Sequence, residues 1–155
     1  MKPVIYLRIA SILTLIHAVL HTIGGVFGKP PSTQAAIIAA SMRYRFEVFG
    51  VMRSYADFYR GMGIGITIAL TMDAAILWVL ASMAKSDAVR LRPILAIFCM
   101  GYLAFTLNSL TYFFSGPVIA EIIIVLCIGA AIFTARSASE RELQQEHSEM
   151  TAARS

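Results

Sequence analysis

Hydrophobic residues in this chain gather in four long blocks, at about residues 4–26, 61–84, 94–114 and 118–135, instead of in short periodic faces. Each block approaches the ~20 apolar residues that a helix needs to cross a ~30 Å hydrocarbon core. Within lipid the backbone must satisfy its own hydrogen bonds, and a chain without a series of short alternating strands does so as helices. The pattern predicts an all-α protein, an integral membrane four-helix bundle over residues 1–135 followed by a polar cytoplasmic tail over 136–155. The basic start at Lys2 and Arg8 gives the first block the look of a secretory leader. Its apolar run exceeds the ~7–15 residues of a leader core and no Ala-x-Ala-like site follows, so it reads as an uncleaved span.

The polar stretches between the blocks set the connections. "GKPPSTQ" breaks the first helix with two prolines and opens the longest connection, which runs "TQAAIIAASMRYRFEVFGVMRSYADFY" over residues 33–59. Its start is apolar but too short to span, and its end alternates aromatics with arginines. This composition predicts an amphipathic interfacial helix and then an elbow into the second span. Tyr44, Phe46, Tyr55, Phe58 and Tyr59 would serve as interfacial aromatics. "KSDAVRLRP" is a short basic connection, and the uncharged turn around "SGP" makes a helical hairpin of the third and fourth spans. The tail, "RSASERELQQEHSEMTAARS", is expected to continue the fourth helix briefly and then fray.

Composition strengthens the membrane reading. Of 155 residues 58% are hydrophobic and 14% charged, with a mean hydropathy of +0.73, where a soluble domain carries about 25% charged residues. The net charge of +4 comes from basic residues between the blocks, with no stripe for nucleic acid. Lys2, Arg8, Lys85, Arg90, Arg92, Arg136, Arg141 and Arg154 fall on one side, and Lys29, Arg43, Arg45, Arg53 and Arg60 on the other. That bias favours both termini in the cytoplasm of a multi-pass membrane protein, whose first partner is the lipid bilayer. Cys99 and Cys127 lie in apolar blocks and read as buried, inert thiols before they read as a disulfide.

Ionisable groups inside spans are functional candidates by default. Here they are His17, His21, Asp73 and Glu121, joined by the amide of Asn108 and by Asp57 and Arg60 at the mouth of the second span. At ~1.5 Å per residue, His21 lies roughly 9 Å and His17 roughly 15 Å from the outer boundary. Asn108 comes out at roughly 9 Å and Glu121 at roughly 5 Å. The count predicts an outer-half polar pocket lined by His17, His21, Asp57, Arg60, Asn108 and Glu121. Ala10, Thr14, His17, His21, Gly24 and Gly28 follow the helical period as one packed stripe, as do Gly101, Ala104, Asn108 and Thr111. Gly61 and Gly65 form a small-xxx-small pair suited to close helix approach. Asp73 sits deeper, at roughly 20 Å, where it would meet His17, snorkel to a basic group, or stay neutral.

Several functions fit such a pocket. A structural polar network would fix helix register. A small lipophilic ligand would find a partly dry site with polar anchors. A histidine and a carboxylate could run acid–base chemistry, of the isomerase or cyclase type, on a lipophilic substrate. A dimeric proton-coupled transporter would use a membrane carboxylate. His17 and His21 at i, i+4 with Glu121 or Asp57 could form a metal triad, although the glutamate that marks zinc peptidases is missing. A haem needs ligands on opposite faces of its ring, and these two histidines share one helix face. Nothing in the sequence names a cofactor, and a homo-oligomer or an accessory subunit fits it equally.

The stretches "IHAVLHTIGG" and "MRSYADFYRGMGIG" resemble an uncharacterised family of small bacterial four-span membrane proteins. That family pairs a His-Thr-x-Gly-Gly element in the first span with an Arg-Ser-x-x-Asp-Phe-Tyr-x-Gly element at the second. In size and layout the chain is also loosely similar to DoxX-like proteins. The resemblance implies a four-helix bundle in a bacterial inner membrane and carries no catalytic residue over. The DoxX-like similarity implies a redox or quinone-linked role, for which the chain has no cofactor signature.

Overall fold

The computed structural model describes residues 2–152, and of residues 136–149, 151 and 152 only the backbone. Four helices are long and apolar enough to cross a membrane, one for each hydrophobic block. Helix α1, Lys2–Leu20, runs directly into a π-helical turn at His21–Val26. Then come α2 (Thr33–Ser41), strands β1 (Arg45–Val48) and β2 (Val51–Ser54), and α3 (Tyr55–Met83). Helices α4 (Arg92–Tyr112) and α5 (Ser115–Ala152) complete the chain.

Local chemistry sets the helix ends where hydropathy could not. Helix α3 starts at Tyr55, ahead of the apolar block at Gly61, because Ser54 and Asp57 close a reciprocal cap. The Ser54 hydroxyl and backbone N–H each donate to Asp57 Oδ2 at 2.9 Å, and Asp57 N–H donates back to Ser54 Oγ at 3.2 Å. Two otherwise orphaned N–H groups are thereby satisfied. Pro93 in the first turn of α4 sits where its missing N–H does no harm. Helix α5 continues past Ala135 through Ala152, correcting the expectation of early fraying. No Pro or Gly interrupts "SERELQQE", and its Glu, Arg, Leu and Gln are strong helix formers. The last residues of the tail, 153–155, lie outside the described residues.

The long connection departs from expectation. The apolar start folds as α2, capped by the Ser32 hydroxyl accepting from Ala35 N–H. The arginine–aromatic stretch is not an elbow but an antiparallel hairpin of β1 and β2. Val48 pairs with Val51, leaving Phe49 and Gly50 as a two-residue turn with φ of 50° and 79°. Positive φ at both turn positions matches the twist of a hairpin. The sequence concealed this turn because phenylalanine, not Asn or Asp, precedes the glycine.

The chain divides into two compact units. One is Leu15–Met72, here the hairpin unit; the other, the core unit, joins Met1–Thr14 to Asp73–Ser155. Within the core unit α4 packs on α5. Leu7, Leu77, Leu95, Tyr102, Ile124 and Ile128 form its centre and are almost wholly buried. Ser11 Oγ donates to the Ala74 carbonyl at 2.7 Å. The Arg8 guanidinium lies 3.4 Å over the Trp78 ring and donates to Ser82 Oγ at 2.9 Å, so a charge on an apolar helix is held by an aromatic face. Cys99 and Cys127 are free thiols and half-buried.

Candidate functional site

In the hairpin unit the polar groups converge on the π-helical turn, whose sequence is the His-Thr-x-Gly-Gly element itself. The wide turn closes with Phe27 N–H donating to the Thr22 carbonyl at 3.1 Å. Short π-helical turns re-aim side chains and concentrate at functional sites. Glycine is required at its end: a Cβ on Gly28 would run into the Gly24 carbonyl oxygen. This turn also breaks the expected stripe. Ala10 and Thr14 are buried and both histidines half-buried, but Gly24 and Gly28 are exposed, because the π turn shifts the helical period after His21.

His21 Nε2 lies 3.1 Å from the Gly63 carbonyl, an acceptor only, so that nitrogen carries the proton. Thr22 Oγ1 donates to the Ala18 carbonyl at 2.7 Å and lies 2.9 Å from Thr67 Oγ1. Thr67 Oγ1 is also 3.2 Å from the Gly63 carbonyl. Each hydroxyl has one proton: with Thr22's on the Ala18 carbonyl, that of Thr67 is left to Thr22 Oγ1 or to the Gly63 carbonyl, which His21 also serves. Beside this chain lies an open groove of about 180 Å³ lined by Ala18, Val19, Thr22, Ile23, Thr67 and Thr71. Close approach at this site depends on Gly63, where a Cβ would meet Val26 Cγ2 at 2.9 Å. Gly61 and Gly65, the pair expected to serve, have nothing within 4 Å of their Cβ positions.

The other expected residues of this unit have separate settings. His17 is half-buried, and its Nδ1 is buried without a hydrogen-bond partner among the described residues. Asp57 is committed to the cap of α3, and Arg60 is exposed on the same helix.

The core unit holds a second polar group of residues. The Tyr102 hydroxyl lies 3.3 Å from Thr14 Oγ1 and 3.4 Å from Asp73 Oδ2, so Asp73 meets a tyrosine where the sequence left its partner open. Ser109 donates to Glu121 Oε1 at 2.9 Å, while Glu121 Oε2 is buried without a hydrogen-bond partner among the described residues. Asn108 is exposed, as are Gly101, Ala104 and Thr111; the buried face of α4 is Leu95, Tyr102, Thr106 and Ser109. Both sets keep helical spacing, and sequence period alone does not choose between two faces of an apolar helix.

The structure thus places the Asp73–Tyr102 and Glu121–Ser109 pairs in one unit, and His17, His21, Asp57 and Arg60 in the other. The hydroxyls of Thr22, Thr67, Tyr102 and Ser109 escaped the sequence reading. Threonine and serine in apolar helices commonly bond their own i−4 carbonyl, as Thr106 and Thr71 do, so spacing does not separate a working hydroxyl from a self-satisfied one. No group of three or more His, Cys, Asp or Glu side chains able to hold a metal occurs among the described residues. Comparison with family models, curated proteins and solved structures returned no match.

Proposed function

We propose that the protein is a four-span component of a bacterial inner membrane that holds a small lipophilic ligand bearing a polar head. The carrying observation is the groove lined by Ala18, Val19, Thr22, Ile23, Thr67 and Thr71, with apolar walls and the paired Thr22 and Thr67 hydroxyls in its lining. In such a site apolar contact supplies affinity and a few fixed polar groups supply orientation. The site is narrower than the six-residue pocket expected from depth counting, and none of those six residues lines it; His21 bears on it only through the Gly63 carbonyl that Thr67 also approaches. The distribution of basic residues supports cytoplasmic termini, which puts the groove toward the outer leaflet.

A photoactivatable long-chain alcohol tests this. Irradiated with the purified protein, it should label peptides covering residues 18–23 and 67–71 above other exposed helix faces. Thr71→Trp, at an exposed position that overhangs the groove, should suppress that labelling. Even labelling over all apolar faces would refute the reading.

A second reading, proton-coupled transport or acid–base chemistry, draws on Glu121. A carboxyl that is 4% exposed, with one oxygen bonded by Ser109 and the other unpartnered, is the kind of intramembrane group that such activities use.

A further inference from the structure

The hairpin between α2 and α3 brings two like charges together. Arg45 Nη2 and Arg53 Nη1 each donate to the Met52 carbonyl at 3.0 Å, so these nitrogens lie within twice that distance of one another. Both side chains are exposed. They reach the carbonyl from opposite faces, since Arg45 pairs with Ser54 and Arg53 with Phe46 in the register. Asp57 acts electrostatically on both but is bound into the cap of α3. Residues 43–60 carry Arg43, Arg45, Arg53 and Arg60 against Glu47 and Asp57, which leaves the segment net positive.

The turn of the same hairpin carries an opposite anomaly. Phe49 sits at φ 50° with its side chain fully exposed. A bulky residue in the left-handed region is a true outlier, and water gives a bare phenyl ring no compensation. The headgroup region of a bilayer does, because aromatic rings are stabilised there. The hairpin is tied to the start of α3. Strand β2 ends at Ser54 and α3 starts at Tyr55; Ala56 N–H donates to the Met42 carbonyl at 2.9 Å, and the Phe46 and Tyr55 rings meet at 4.9 Å between centroids, tilted by 48°.

We propose that this hairpin is a headgroup site for an anionic phospholipid. The phosphate takes the guanidinium N–H donors of Arg45 and Arg53 that the Met52 carbonyl leaves unused, and Phe49 enters the interfacial layer beside it. Guanidinium groups suit this role because their planar donors match phosphate oxygens. The inference rests on the membrane reading of the four helices but not on the ligand groove.

Native mass spectrometry of the full chain, released from detergent with phosphatidylglycerol or phosphatidylcholine added, reads it directly. The unaltered protein should retain phosphatidylglycerol preferentially. Arg45→Gln and Arg53→Gln should each lower that preference about fivefold, near the contribution of one basic residue at an anionic surface. Arg45→Lys/Arg53→Lys should keep part of it, and Phe49→Asn should weaken retention of both lipids alike. Equal retention of the two lipids, a preference that survives the double glutamine variant, or displacement by inorganic phosphate at equal concentration would each overturn the headgroup site. A chain that stays monodisperse in buffer without detergent overturns the membrane reading as well, which separates the two failures.

Discussion

Replacing Tyr102 with phenylalanine removes a single oxygen from a side chain that is 1% exposed and central to the core unit. The ring stays, so burial and packing change little. The loss is a hydroxyl proton available to Thr14 at 3.3 Å and Asp73 at 3.4 Å, both longer than the ~2.7–2.8 Å of a strong O–H···O bond. Hydrogen bonds between membrane helices average ~0.6 kcal/mol and reach ~1.7, and long geometry places this one toward the lower end. Tyr102→Phe should therefore destabilise by about 1 kcal/mol or less. Tyr102→Ala also removes the ring and should cost ~3–5 kcal/mol. The assay is unfolding in mixed micelles with increasing dodecyl sulfate, followed by the fluorescence of Trp78, the one tryptophan. In an Asp73→Leu background the hydroxyl keeps Thr14 as its acceptor, so the phenylalanine variant should lose only part of its effect. Equal losses for Tyr102→Phe and Tyr102→Ala would show that the polar network, not packing, dominates this core and would refute the reasoning.

Two further outcomes follow from the glycines of the hairpin unit. Gly28→Ala drives a Cβ into the Gly24 carbonyl and should sharply lower the thermal midpoint of the purified protein, whereas Gly24→Ala, with nothing within 4 Å, should be tolerated. Gly63→Ala should destabilise through its 2.9 Å approach to Val26 Cγ2, and Val26→Ala in the same chain should restore much of the midpoint. Gly61→Ala and Gly65→Ala serve as controls that should leave the midpoint near its starting value.

The four membrane-length helices were legible because hydropathy is a property of composition within a window, and lipid allows little besides helix for such a window. Glu121 and Asp73 were also visible as candidates, because charge inside an apolar run stands out in one dimension. Their partners were not. Tyr102 lies 29 residues from Asp73, and its hydroxyl is ordinary until two helices bring it near a carboxyl. Asn108 shows the converse: a polar residue with helical spacing lies on the exposed face, since period fixes separation along a helix but not which face packs.

Sequence by itself determined how many helices can span, where prolines break the chain and which charged residues would need explaining. Tertiary structure decided the rest through short-range geometry that pattern does not carry. It turned "HTIGGV" into a π turn that takes Gly24 and Gly28 out of the stripe, and made Gly63, instead of Gly61 or Gly65, the point of close approach. It also folded "RFEVFGVMRS" into a hairpin although its turn lacks the usual residues. Each of these outcomes depends on which atoms occupy a few ångströms of space, and hydrogen bonding and steric exclusion act only at that range.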